Sequence, residues 1–200
     1  MKKLIIPLFL ILTLFCGCTS VKKYEFDFAE GTKTPIKCSV SIPKKCKVGP
    51  YRFESEVAKP WERFYCANIE VKPKTVDGVT GAGEYSLISI YTIAKNGKET
   101  EAENVKFYTA EEMKERTVSK YGEQIVYSEG RTVCGYNAFY SEKIYDMPMG
   151  YSSAIGEISV YVSNDKTEED DFFAISIAGA YSNETEKQEI IDAINSLEIY

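Results

Sequence analysis

Apolar and polar residues alternate along much of the chain, and each alternating run stops at a turn residue. Over residues 24–29, Phe26 and Phe28 alternate with Glu25 and Asp27, the period of two that marks a half-buried strand. Over 36–42, Ile36, Cys38, Val40 and Ile42 fall on one face and Lys37, Ser39 and Ser41 on the other, until Pro43 stops the run. Residues 64–72 place Tyr65, Ala67, Ile69 and Val71 together. Residues 85–94 are apolar on both faces, which predicts a central strand, and Asn96-Gly97 marks the turn after it.

At Thr109 the period changes. Thr109 and Glu112 form an S/T-x-x-E capping box, Gly122 stands where a helix would end, and Ala110, Met113, Thr117 and Tyr121 form the stripe to be buried. Four more strands are predicted at 124–128, 137–145, 155–163 and 172–181. A second helix follows over 184–196, with Asn183 as N-cap and Ile190, Ile191, Ile194 and Leu197 on one face. No internal repeat or linker divides the chain. The order predicts one α+β domain over 24–200, a mostly antiparallel sheet covered by a few helices.

The first residues read differently. Lys2 and Lys3 precede an apolar run over 4–15, which as a helix spans about 18 Å, short of a ~30 Å hydrocarbon core. This is the pattern of a secretory signal. Leu14-Phe15-Cys16-Gly17-Cys18 resembles the bacterial lipobox, which implies that Cys18 is lipidated and becomes the first mature residue. The division expected is a signal peptide over 1–17, a lipidated tether over 18–23, and the domain. The location expected is the cell envelope, anchored to a bacterial membrane by lipid and facing the periplasm or exterior.

Composition narrows the chemistry. Among 200 residues there is no histidine, so Ser-His-Asp and Cys-His catalysis, His-zinc sites and His proton shuttles are excluded. Acidic residues (30) outnumber basic ones (24) for a formal charge of −6, which argues against nucleic acid as a partner and leaves membrane attachment to the lipid. In an oxidising compartment, Cys38, Cys46, Cys66 and Cys134 form a candidate disulfide set, with three pairings open. Their spacing does not suit zinc, and no metal or cofactor is expected.

Few constellations carry chemistry. Ser41-Ile42-Pro43-Lys44 has S-x-x-K spacing, but at a strand end rather than a helix start. The loop Gly78-Val79-Thr80-Gly81-Ala82-Gly83 lacks the G-K-[ST] and the helix that phosphate binding uses. Asp165, Glu168, Glu169, Asp170 and Asp171 offer calcium-type ligands without the spacing of a calcium loop, and a solvated turn accounts for them equally. The segment Tyr145-Asp146-Met147-Pro148-Met149-Gly150-Tyr151 is unusually apolar for a loop. Tyr145, Met147, Met149 and Tyr151, with the single tryptophan Trp61, are therefore the candidate binding residues. The function expected is a non-catalytic, lipid-anchored envelope protein binding a protein or small-ligand partner. The alternative is a carboxylate-dependent hydrolase of cell-wall or extracellular polymer.

The order of elements and two segments resemble PsbP-like proteins. Gly130-Arg131-Thr132-Val133-Cys134-Gly135-Tyr136-Asn137-Ala138 resembles their hairpin, and 172–180 followed by 190–197 resembles their closing strand and helix. That family shares its fold with a nuclear-import factor that binds the GTPase Ran, and it includes bacterial lipoproteins. The resemblance implies an α/β/α sandwich and a non-enzymatic role. It transfers no functional residue, because no ligand motif is shared.

Overall fold

The computed structural model describes residues 21–27, 36–50, 62–70, 75–76, 79–80, 84–95, 100–101, 104–145 and 154–200. In chain order these give β1 (Val21–Asp27), β2 (Lys37–Pro43), β3 (Lys47–Pro50), β4 (Glu62–Glu70), β5 (Thr75–Val76), β6 (Val79–Thr80) and β7 (Glu84–Ala94). Next come α1 (Ala110–Tyr121), β8 (Ile125–Val133), β9 (Tyr136–Ile144), β10 (Gly156–Ser163), β11 (Phe173–Tyr181), α2 (Glu184–Asn195) and β12 (Glu198–Ile199). Every strand pairing is antiparallel. The protein is an α+β fold built on a seven-stranded sheet of order β3-β4-β7-β11-β10-β9-β8, with a three-stranded sheet β1-β2-β12 packed beside it.

Period-two patterning sorts the large sheet into two faces. On one, Ile88, Ile90, Val160, Val162, Ile175 and Ile177 are almost wholly buried. They share a single cluster with Ile190, Ala193 and Ile194 of α2 and with Cys38, Val40 and Ile42 of β2. The other face carries α1 across β8, β9 and β10. Helices thus lie on both faces, and β7 is central as its two-sided apolar pattern requires.

The caps explain where the helices begin. Thr109 Oγ1 accepts the Glu112 N–H at 3.2 Å while Glu112 Oε2 accepts the Thr109 N–H at 2.7 Å, the full capping box. Asn183 Oδ1 accepts the Glu186 N–H at 3.0 Å. Gly122 does not end α1 through a left-handed residue; its φ of −27° leads into a 3-10 turn over Gly122–Gln124. Of the α1 stripe only Ala110 is buried, and Met113, Thr117 and Tyr121 are half-buried.

Four of the strands depart from the sequence reading. β1 begins at Val21, inside the segment expected to be tether, and pairs Val21 with Pro43. β8 runs on to Val133, joined to β9 by a two-residue turn in which Cys134 (φ 52°) and Gly135 (φ 83°) are both left-handed. Short β3 and β12 carry too few apolar residues to show a period.

The expected disulfide is not formed. Cys38, Cys46, Cys66 and Cys134 are all free thiols. Cys38 faces the core, whereas Cys66 lies on the opposite face of the large sheet beside Ser89 (3.9 Å). Cys134, at the hairpin turn, donates its S–H to the Leu197 carbonyl at 3.1 Å. Burial pushes the Cys38 thiol up to about 12, with Cys134 adding to it, and pushes Cys46 up to about 11, so both stay protonated and unreactive.

Candidate partner-binding surface

The ends of β8, β9 and β10 meet at one margin of the large sheet, and the apolar residues there remain in solvent. Gly156 stands opposite Ile144 and Ile125 opposite Lys143, so Ile144 and Tyr127 share the α2 face with Glu142, while Ile155, paired with Tyr145, lies on the α1 face with Lys143, and the margin is apolar on both sides. Val126 is 55% exposed, Tyr127 47%, Ile155 46% and Ile144 44%. A bulge between Ile125 and Tyr127 sets Val126 out of register and turns the start of β8. The ladder continues past the strands, with Tyr145 N–H donating to the Ile155 carbonyl (3.0 Å) and Ile155 N–H to the Tyr181 carbonyl (2.8 Å). Four exposed apolar side chains are therefore held on hydrogen-bonded backbone, which presents them without a large ordering cost on binding.

Polar groups flank these residues on each face, each with a partner. Tyr145 Oη donates to Glu157 Oε2 at 2.9 Å, and Lys143 Nζ bridges to Glu157 Oε1 at 2.9 Å. Lys143 also lies over the Tyr121 ring at 4.3 Å. Burial and the neighbouring Glu157 carboxylate raise the Tyr145 phenol, keeping it a donor. Tyr181 Oη and Lys187 Nζ both donate to Glu142 Oε1 at 2.7 Å. Burial opposes ionisation of Glu142, but those two hydrogen bonds outweigh it and hold the carboxyl below its usual range. Further along β8, Arg131 stacks on Tyr140 (4.5 Å), which meets Tyr127 edge-on (5.8 Å).

Of the binding residues expected from sequence, Tyr145 belongs to this margin. Met147, Met149, Tyr151 and Trp61 lie outside the described residues, as does the lipidation candidate Cys18. Val126, Tyr127, Ile144 and Ile155 are the additions. Their trace in the sequence is local loss of alternation, since Ile125-Val126-Tyr127, Ile144-Tyr145 and Ala154-Ile155 place apolar residues on both faces at a strand end.

The acidic turn is committed elsewhere. Asp165 accepts from the Ala110 N–H (2.9 Å), from Asn137 Nδ2 (2.5 Å) and from Ser163 Oγ. Lys166 Nζ bridges Asp171 (2.8 Å) and Glu169 (3.3 Å). Among the described residues no group of three or more His, Cys, Asp or Glu side chains is placed to hold a metal ion. A concavity of about 250 Å³ between β2 and α2 contains Glu189, only 8% exposed, whose carboxylate is neutralised by Lys45 at 2.7 Å. Ser41 belongs to β2, where its N–H donates to Ser196 Oγ, so the S-x-x-K spacing has no helix to act on. Glu142, Asp165, Asp171, Glu186 and Glu198, the described carboxyls with clear shifts, are all lowered. No described helix is long and apolar enough to cross a membrane.

No family model matches the chain, and no curated protein does. Among solved structures, the chain is similar to the Ran-binding protein Mog1p of Saccharomyces cerevisiae, at 12% identity with a TM-score of 0.42, covering 90% of this chain and 96% of that one. It is also similar to cyanobacterial PsbP from Synechocystis, at 14% identity with a TM-score of 0.45, covering 93% and 96%. At such identity and overlap these likenesses decide nothing about the site.

Proposed function

We propose that this is a non-catalytic, lipid-anchored protein of the cell envelope that binds a protein partner through the exposed margin of β8, β9 and β10. The carrying observation is that Val126, Tyr127, Ile144 and Ile155, spread over both faces of one sheet margin, are about half exposed and flanked by satisfied polar groups. Exposed apolar residues flanked by paired polar groups have the composition of a protein interface, and reaching both faces of one sheet margin suits a protein better than a small ligand. Anchoring rests on the lipobox-like sequence at Cys18.

Two measurements test the reading. Ile144→Ser with Ile155→Ser should leave the melting temperature within ~2 °C, since both side chains are already in solvent. The same double variant should lose the envelope protein that the wild type retains after crosslinking and pull-down. Retention undiminished in that variant refutes the surface. Cys18→Ser should abolish incorporation of labelled palmitate, and normal labelling refutes the anchor.

A further inference from the structure

The two edges of the large sheet are unlike each other. β3 has four residues and carries Lys47 and Pro50, two of the devices that keep an edge from pairing with another chain. β8 has nine residues, with neither lysine nor proline, and among the described residues no strand lies beyond it. Its hydrogen-bonding pattern is fixed by the hairpin. The two-residue turn makes Val133 and Tyr136 a bonded pair, so Arg131 with Ala138 and Glu129 with Tyr140 are bonded pairs as well. Ser128, Gly130 and Thr132, which alternate with them, aim their N–H and C=O groups away from β9, and all three are exposed.

We propose that this edge binds a second copy of the chain, β8 against β8, about a twofold axis through Gly130. The sequence of the edge selects that register. Antiparallel pairing must set outward residues opposite outward residues. If Ser128 faces Gly130 of the second copy, Glu129 faces Glu129. If Gly130 faces Thr132, Arg131 faces Arg131. Only with Gly130 opposite Gly130 does Glu129 face Arg131, once on each side of the axis. Ser128 then faces Thr132 and Tyr127 faces Val133, an aromatic against a β-branched residue. Like charges directly opposite disfavour the first two registers, and the opposite-charge pairs favour the third. Such a surface is self-complementary, as an isologous dimer requires. Gly130 itself meets nothing: a Cβ there would have no neighbour within 4 Å, and its φ is not positive. Among the described residues, nothing inside one copy accounts for a glycine in the middle of this strand.

The test is sedimentation velocity of the full chain and its charge variants over about 1–200 µM, the range in which a small strand-edge contact associates. Wild type should shift from monomer to dimer with concentration. Glu129→Arg and Arg131→Glu should each weaken association at least ~10-fold, because each sets like charges opposite one another twice. The double variant Glu129→Arg with Arg131→Glu restores opposite pairs in the same register, and should return to within ~3-fold of wild type. Circular dichroism melts establish that each variant is folded. A wild type that stays monomeric throughout overturns the proposal. So do a dimer indifferent to either single reversal and a double reversal without recovery. Ile144 and Ile155, which test the proposed function, lie outside this pairing, so either reading can fail alone.

Discussion

Asp165 ties three elements together, and replacing it with alanine should be among the costlier single changes on the surface. Its backbone is left-handed (φ 57°), which aspartate tolerates and alanine adopts at about 1 kcal/mol. The carboxylate accepts from Ala110 at the start of α1, from Asn137 in β9 and from Ser163 at the end of β10. Hydrogen bonds to a charged group contribute ~1.5–3 kcal/mol each, and half-exposure reduces that to roughly 1. The total is about 4 kcal/mol, or about 8–16 °C in melting temperature for a domain this size. Asp165→Asn keeps the left-handed tolerance and part of the hydrogen bonding, and should lose about half as much. The pH dependence has a fixed sign. Burial works against ionisation, but the hydrogen bonds from Ser163, Asn137 and the Ala110 N–H prevail and lower the Asp165 pKa. Its stabilisation is therefore complete above the unfolded value of ~3.9 and disappears as pH falls through the lower folded value. Calorimetry of wild type and Asp165→Ala from pH 7 to 3 should show a constant gap down to about pH 5 and a shrinking one below about pH 4. A gap under ~1 kcal/mol at pH 7, or one unchanged at pH 3, refutes the account.

Two further predictions concern packing and thiols. Gly179→Ala would put a Cβ 2.4 Å from the Leu87 carbonyl and 2.7 Å from Ile190 Cγ1, forcing α2 off the sheet. Denaturant unfolding should show a loss of ~2–3 kcal/mol, while Gly130→Ala, with open space around it, should cost nothing or stabilise slightly. Alkylation with peptide mapping at pH 8 should modify exposed Cys134 in the native protein and reach buried Cys38, Cys46 and Cys66 only on unfolding. A peptide disulfide among these four would contradict the structure.

What could be read from the sequence was whatever local spacing dictates. The capping box at Thr109 and Glu112, the Asn183 cap and the two-sided apolar run of β7 are each decided by a few adjacent residues. β8 beyond Ser128 escaped notice because an exposed edge strand has no buried face to mark it, and Gly130 looks like a break. β3 offers only Val48 as an apolar signal. The face of β2 was legible, but its membership of a separate sheet was not, since that depends on Glu198 and Ile199 far along the chain. Of the margin proposed to bind a partner, Tyr145 alone was legible. Its other members are conspicuous only because no described element covers them, and coverage is a long-range property.

The small sheet imposes an order on synthesis. β2 lies between β1 and β12, and Tyr200 exchanges both backbone hydrogen bonds with Lys37 at 3.0 Å. Lys23 meets Glu198 across a separation of 175 residues. During elongation, the apolar side of β2 must wait uncovered until residues 184–200 have emerged, a contact order that slows folding. The same geometry brings β1 and β12 within two strand spacings, about 10 Å. β1 and β12 run parallel, with Tyr200 level with Asp27 and Val21 six residues further along at Pro43, so a reporter fused after residue 200 would emerge roughly 20 Å along the sheet from Val21, and fluorescence transfer between labels at the two ends should jump only in the last step of refolding.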